Sequence, residues 1–233
     1  MTRIATGLLL LAFVAAACTS SSTSDSDAGT ATVLFDGTLT PGWKMSTIKN
    51  QPGKDDPGRF DLEGDALVSK PGSDLGMLWH TTPTPANFLL ELEFRLSKVD
   101  DNSGVMIRFP DPDSKGYDNT AWVAVDFGFE IQINEPGAPD GAPMHTTGAV
   151  YNQADQQFAR VPANPPGAWN TYAIRAEGQT YTVVLNGKQV TRFVNPNAAR
   201  GLASTPSAPS YLGLQTHSGG NVAFRNVRIS ALP

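Results

Sequence analysis

The stretch that decides the fold is Asn170–Val194, NTYAIRAEGQTYTVVLNGKQVTRFV. Two runs rich in β-branched and aromatic residues flank the pair Asn186-Gly187. Because both residues of such a pair tolerate a positive φ, the pair predicts a two-residue type I′ turn between antiparallel strands. A second turn is predicted at Glu177-Gly178, after another alternating run. The stretch therefore predicts a three-stranded antiparallel meander.

The same two-residue alternation of apolar and polar side chains recurs through residues 33–233, for example at 90–96, 105–109 and 129–134. No sustained helical period is present, so no helix is required. The alternation changes parity near Arg225 or Asn226, which predicts a β-bulge. Many short strands and long loops rich in Pro and Gly predict an all-β fold, a two-sheet antiparallel jelly-roll sandwich.

The composition fits one domain, predicted at residues 33–233. The chain has 233 residues, of which 40% are apolar, enough for a sizeable core. It carries 17 Lys and Arg against 22 Asp and Glu, a formal net charge of -5. No basic stripe is present, so nucleic acid is not an expected partner.

The N-terminus has the layout of a secretory signal, predicted at residues 1–17. A polar head with Arg3 precedes the apolar run Gly7–Ala17, which ends in small residues. The run is too short to span a bilayer as a mature helix. Export is therefore expected.

Cys18 is the only cysteine, so an intramolecular disulfide is excluded. The sequence Val14–Cys18, VAAAC, resembles a bacterial lipobox, in which the cysteine is acylated and becomes the mature N-terminus. An ordinary signal peptide with an incidental cysteine is the alternative. Residues 18–32 are rich in Ser and Thr and predict a flexible, lipidated tether. The expected location is extracytoplasmic, anchored to the membrane of a bacterial cell envelope.

A series of short motifs carries a resemblance to a known family. They are LFDG (34–37), GW (42–43), NFLLELEFRL (87–96), NSGVMIR (102–108), FEIQI (129–133), TGAVY (147–151), WNTYAIRAEG (169–178), LNGKQV (185–190), LGLQTH (212–217) and FRNVRI (224–229). These motifs and their order resemble those of the 3-keto-disaccharide hydrolase family, over nearly all of residues 34–232. The resemblance implies a concanavalin-like jelly roll, usually exported, that binds carbohydrate or cleaves 3-keto-glycosides.

A ketone on the third carbon of a sugar acidifies the hydrogen on the second carbon. A base can then remove that proton, and the group on the first carbon leaves by elimination before water adds. Such a site needs a general base, a group that stabilises the enolate, and a proton donor for the leaving oxygen.

Three residues are the candidates for this chemistry. Glu130 is the predicted base, because it alternates with Phe129 and Ile131 and therefore points away from the core. Arg108 is the predicted clamp on an enolate or hydroxyl oxygen. His217 is the predicted acid or second base at a strand end. The alternatives are a cross-strand ion pair between Glu130 and Arg108, and an ordinary loop histidine.

Other polar and aromatic side chains are candidates for substrate binding. They are Gln132, Gln215, Tyr151, His145 and Trp122. Tyr151 and Trp122 could stack against a sugar ring, whereas their alternative role is core packing. His145 is a weaker candidate acid or base in a loop.

The sequence gives little sign of a cofactor. Asp111, Asp113 and Asp118 share a loop with Asn119 and could offer oxygen ligands to calcium, but their spacing is not that of an EF-hand. A solvated acidic loop is the alternative. No cofactor is therefore evident, and a divalent cation has no ligand motif in its favour.

Two other functions stay open. The same fold supports non-catalytic glycan-binding modules, and the chain could also be a structural or partner-binding envelope lipoprotein. The expected partners are a carbohydrate and, through Cys18, the membrane. The sequence does not indicate an oligomeric state.

Overall fold

A computed structural model describes residues 29–38 and 41–233. The predicted signal peptide, Cys18 and the predicted tether up to residue 28 lie outside the described residues. Strand pairing already begins before residue 33, since the Gly29 amide donates to the Ala231 carbonyl at 2.9 Å. In the part of the chain that the structure describes, no helix is long and apolar enough to cross a membrane.

The described residues form fourteen strands and one α-helix. In chain order the strands are β1 (Thr32–Phe35), β2 (Trp43–Met45), β3 (Arg59–Glu63), β4 (Ala66–Lys70), β5 (Gly76–His80), β6 (Phe88–Arg95), β7 (Ser103–Phe109), β8 (Phe129–Ile133), β9 (Gln157–Phe158), β10 (Trp169–Glu177), β11 (Thr180–Leu185), β12 (Lys188–Val194), β13 (Tyr211–Thr216) and β14 (Ala223–Ala231). The helix, α1, is Trp122–Phe127, and short 3-10 turns lie at Pro112–Ser114 and Pro143–His145.

The strands form two antiparallel sheets. The larger sheet has the order β3-β4-β14-β6-β10-β11-β12-β9, with β1 also paired to β14. The smaller sheet has the order β2-β5-β13-β7-β8. Several neighbours are far apart in the chain, such as β14 between β4 and β6 and β13 between β5 and β7, as a jelly roll requires. The predicted all-β, two-sheet sandwich is therefore confirmed.

Local turn chemistry explains the β10-β11-β12 meander. Asn186 and Gly187 join β11 to β12 with φ values of 49° and 76°, as a type I′ turn requires. The predicted bulge in β14 is also present, because its register with β6 shifts between Arg225 and Arg228. Asn226, inside that shift, has a φ of 52°.

The smaller sheet is buried on both faces. Its inner face contributes residues such as Val105, Ile107 and Ile131 to the main core between the sheets. Its outer face carries a second apolar cluster, which includes Met77, Trp79, Met106, Phe109 and Tyr211 together with two alanines at 121 and 124 in and before α1. The helix, which the sequence did not require, therefore covers part of this outer face.

Arg108 is not on the outer face, which corrects the sequence interpretation. The register of β7 against β13 shifts next to Tyr211, and Arg108 itself has a φ of 54°, so a bulge turns its side chain inward. Its guanidinium donates to the carbonyls of Ala86, at 2.6 Å, and Gly178. Its side chain is 1% exposed. Arg108 therefore joins the smaller sheet to backbone groups at one end of the larger one, before β6 and in the β10-β11 turn.

Arg108→Met is expected to destabilise the fold by about 3 kcal/mol, because two buried carbonyls lose their charged donor. Denaturant unfolding would measure the change. The control is Arg192→Ala, an exposed cation on β12, for which a change within about 0.5 kcal/mol is expected. Equal effects of the two substitutions would contradict the structural role of Arg108.

Candidate active site

The candidate site lies on the outer face of the smaller sheet, next to the apolar cluster under α1. Glu130 of β8 is paired with Met106 of β7, and Gln132 is paired with Gly104. Phe129 and Ile131, on either side of Glu130, belong to the inner core. Alternation therefore places the Glu130 side chain on the outer face, as the sequence predicts.

Gly104 makes room for the Glu130 carboxyl. A Cβ atom at residue 104 would lie 2.2 Å from Glu130 Oε1 and 2.7 Å from its Cδ. No side chain larger than hydrogen fits there without moving the carboxyl. A glycine in the middle of a strand often marks such a close approach. The Glu130 carboxyl therefore packs directly against the backbone of β7 at Gly104.

The Glu130 carboxyl is removed from water without a charged partner. Parts of the side chain remain accessible, but Oε1 is buried and has no hydrogen-bond partner among the described residues. Burial raises the pKa of Glu130 from 4.5 to about 8, and a polar contact with the Gln215 side chain opposes the shift only in part. A carboxylate that forms here is a much stronger base than an exposed one.

Two further side-chain oxygens, one on β13 and one immediately before β7, are also unsatisfied. Gln215 Oε1 and Asn102 Oδ1 are buried and have no hydrogen-bond partner within the described parts of the chain. Gln215 contacts Glu130, and Asn102 lies immediately before β7. Buried polar atoms without a hydrogen-bond partner are unusual in a native protein and often mark a ligand site.

A loop segment extends the site beyond β8. Val150 bridges to Ile131, and the Tyr151 amide donates to the Glu130 carbonyl at 2.9 Å, so Tyr151 is the cross-strand neighbour of Glu130. The ring of His145 packs against that of Tyr151, with 4.9 Å between the centroids. His145 Nδ1 lies 2.7 Å from Asp140 Oδ1. The structure thus brings Glu130, Gln215, Tyr151 and His145 together.

The other predicted site residues occupy different positions. Gln132 is 2% exposed, and its Oε1 accepts from the Ile133 amide, so it is part of the buried scaffold. His217 follows β13, and its Nδ1 lies 3.0 Å from the Ser218 carbonyl. No hydrogen bond or ring contact between described residues joins His217 to Glu130. Trp122 begins α1 and is 41% exposed, which leaves its ring accessible for stacking.

The acidic loop is occupied by contacts of its own. Asp113 pairs with Lys44, Asp118 accepts from Asn50 at 3.1 Å, and Asp111 accepts from the Asp113 amide. Within the described ranges, no three His, Cys, Asp or Glu side chains form a group that could hold a metal ion.

Comparison with known families identifies the domain. The profile of the 3-keto-alpha-glucoside-1,2-lyase-like domain matches residues 30–230. The chain belongs to this family. The resemblance noted in the sequence is therefore confirmed, and the matched range includes every residue of the site described above.

Solved structures share the fold of this lyase-like domain. One, from Parabacteroides distasonis and provisionally assigned as a glycosyl hydrolase, has a TM-score of 0.62 at 21% identity and covers 87% of this chain and 94% of its own. A Bacillus subtilis protein of unknown function with a galectin-like fold has a TM-score of 0.55 at 10% identity, covering 81% and 88%. The carbohydrate-binding module CBM66 from Bacillus subtilis has a TM-score of 0.51 at 13% identity, covering 82% and 96%. A comparison with curated protein sequences found no match.

The sequence did not point to three residues in or near the candidate site. Gly104 and Asn102 lie in the NSGVMIR motif, where a glycine at an outward strand position was the available signal of close approach. Asp140 precedes His145 by five residues in a loop. This spacing alone does not indicate that the two side chains are in contact, as they are in the structure.

Glu130→Gln is expected to stabilise the lyase-like domain more at pH 8 than at pH 5. The unfolded carboxyl ionises near pH 4.5 and the folded one near pH 8, so the wild type loses stability as the pH rises between these values. Glutamine cannot ionise. Denaturant unfolding at the two pH values should show a difference of roughly 3–4 kcal/mol.

The control is Glu135→Gln, a partly exposed carboxyl in the loop after β8. Its effect on stability should differ between pH 5 and pH 8 by at most about 0.5 kcal/mol. A Glu130→Gln effect that is equally independent of pH would mean that the Glu130 carboxyl ionises normally.

Proposed function

We propose that this protein cleaves the glycosidic bond of 3-keto-glycosides by elimination across the first and second carbons, followed by hydration. The observation that carries the proposal is the buried Glu130 carboxyl, which packs against Gly104 and has no cationic partner among the described residues, in a domain of a 3-keto-alpha-glucoside-1,2-lyase-like family. Glu130 is the general base that takes the proton from the second carbon.

The environment of Glu130 suits this role. The hydrogen beside a ketone is only weakly acidic, so a base of raised pKa improves the driving force for its removal. Burial raises the pKa of Glu130 without a cation that would weaken the base. The proposed catalyst is the ionised form, so turnover should increase as the pH rises through about 8.

The unsatisfied acceptors favour a carbohydrate as the ligand. Gln215 Oε1 and Asn102 Oδ1 require hydrogen-bond donors, and the hydroxyl groups of a sugar supply them. Trp122 offers an exposed aromatic face at the start of α1. His217, at the end of β13, remains a predicted acid or second base of the same site.

Incubation of the protein with a 3-keto-glucoside, followed by measurement of substrate loss, tests the proposal. We expect turnover with a kcat/KM that rises with pH, reaches half its maximum near pH 8 and levels off above it. Glu130→Gln should lower kcat at least about 100-fold while KM changes by less than about threefold. Glu135→Gln should keep the wild-type rate.

The same experiment separates catalysis from glycan binding. A non-catalytic module would bind the sugar without consuming it, and Glu130→Gln would then alter only the affinity. Binding without turnover across several 3-keto sugars would contradict the enzymatic proposal and favour that alternative. Neither binding nor turnover would favour a structural or partner-binding lipoprotein.

We also propose that the protein is exported and anchored to a membrane through a lipid on Cys18. The support is the short apolar run before the lipobox-like sequence VAAAC and the Ser- and Thr-rich segment after it. Residues 19–28 would link the lipid to the folded domain, whose first backbone contact with β14 is made by Gly29.

Cys18→Ala tests this proposal. When the full chain is expressed in a bacterium fed a labelled fatty acid, the wild type should carry the label and sediment with membranes. The variant should lose the label completely. Equal labelling of the two proteins, or a wild type without label, would contradict lipidation at Cys18.

A further inference from the structure

The segment that follows β8 places a second proton-bearing group beside Glu130. Tyr151 is bound to Glu130 through backbone pairing, and its side chain is partly exposed. Its hydroxyl has no hydrogen-bond partner among the described residues, whereas the hydroxyls of the buried Tyr172 and Tyr181 each donate to a backbone carbonyl. The Tyr151 hydroxyl is therefore available to a ligand.

The ring of Tyr151 is held from one side by His145. His145 is 6% exposed, and its Nδ1 lies 2.7 Å from Asp140 Oδ1, which also accepts from the Ala142 amide at 2.9 Å. The backbone donor at Ala142 and the His145 ring lower the pKa of Asp140, so this carboxyl is ionised and accepts the proton on Nδ1. The pair fixes the plane of the imidazole on which the phenol ring packs, 4.9 Å away.

We propose that Tyr151 is the general acid that protonates the departing glycosidic oxygen, and that the Asp140-His145 pair positions its phenol; this inference rests on the proposed function. Tyr151 is the catalytic residue, because its hydroxyl would contact the leaving oxygen. His145 and Asp140 act through it as positioning residues.

The proposed step balances. Glu130 takes the proton from the second carbon, the bond from the first carbon to the glycosidic oxygen breaks, and its electron pair stays on that oxygen. Tyr151 gives this oxygen its proton. In the hydration, Glu130 returns its proton to the second carbon, water supplies hydroxide to the first carbon, and the remaining proton of the water returns to the phenolate. One water is consumed, and both side chains regain their starting forms.

The environment of the phenol supports an acid. Burial, then the carboxyls of Glu130 and Asp140, raise the pKa of Tyr151. The hydroxyl therefore keeps its proton at the pH values at which Glu130 ionises. The two groups that exchange protons with substrate are neighbours across one strand pair, so they reach adjacent atoms of one sugar.

The test compares two 3-keto-glucosides that differ only in the leaving group, an alkyl alcohol and 4-nitrophenol. The alkoxide needs a proton to depart, whereas the nitrophenolate departs without one. Tyr151→Phe should lower kcat/KM for the alkyl substrate by about 100-fold or more and for the nitrophenyl substrate by less than about fivefold. An equal loss on both substrates would overturn the inference and leave the proposed function standing.

The outcomes separate this inference from the proposed function. If the wild type releases no nitrophenol, the proposed function fails and the inference fails with it. If His217→Gln, rather than Tyr151→Phe, gives the loss that is confined to the alkyl substrate, then His217 is the acid and the inference is overturned.

A double-substitution series tests the positioning role. His145→Gln and Asp140→Asn should each lower turnover of the alkyl substrate more than that of the nitrophenyl substrate. In a Tyr151→Phe background, His145→Gln should cause no further loss, because its effect passes through the phenol. A further loss of the same size as in the wild type would show that His145 acts independently. Asp140 is exposed, so the Asp140→Asn variant is expected to fold normally. It can therefore test the positioning role even if the His145→Gln variant fails to fold.

Discussion

The site depends on the removal of one carboxyl group from water. Glu130 lies on a sheet that is buried on both faces. Its neighbour Gly104 has no side chain, so the Glu130 carboxyl packs against the sheet backbone and does not extend into solvent. Loss of hydration destabilises the carboxylate and so raises its pKa, and no cation in the described part of the chain lies close enough to offset this effect. Groups with such strongly shifted pKa values cluster at functional sites. Burial of the carboxylate both lowers the stability of the fold and makes Glu130 a stronger base.

Local signals made most of the fold predictable from the sequence. Asn186-Gly187 specifies its own hairpin, and the parity change in β14 marks its bulge, because turn and strand chemistry act over a few residues. Arg108 shows the limit of this reasoning. Its inward position needs a bulge with a positive φ at a residue that seldom adopts one, and the partners that stabilise it are carbonyls of the other sheet. Nothing near Arg108 in the sequence encodes those partners.

The candidate site was predictable only in part, for the same reason. The alternation of side chains predicts which face of the sheet carries Glu130, because this alternation depends only on neighbouring residues in one strand. It does not give the desolvation of that carboxyl, which requires Gly104 on β7, Gln215 on β13 and the cover beside them. Helix α1 escaped prediction because six residues are too few to show a helical period. The contact of Asp140 with His145 depends on how a whole loop folds over β8.

A lectin and an eliminating enzyme place different demands on the same sandwich. A binding site gains from groups whose charge is fixed, because a group that changes its ionisation near neutral pH also changes the affinity. Glu130 does not meet that need, since its pKa of about 8 lies where small changes of environment alter its ionisation. An enzyme gains from that instability, because the proton must leave and return in each cycle. In the proposed mechanism, Tyr151 beside Glu130 gives the leaving group a separate donor, so one carboxyl need not serve both partners of the elimination.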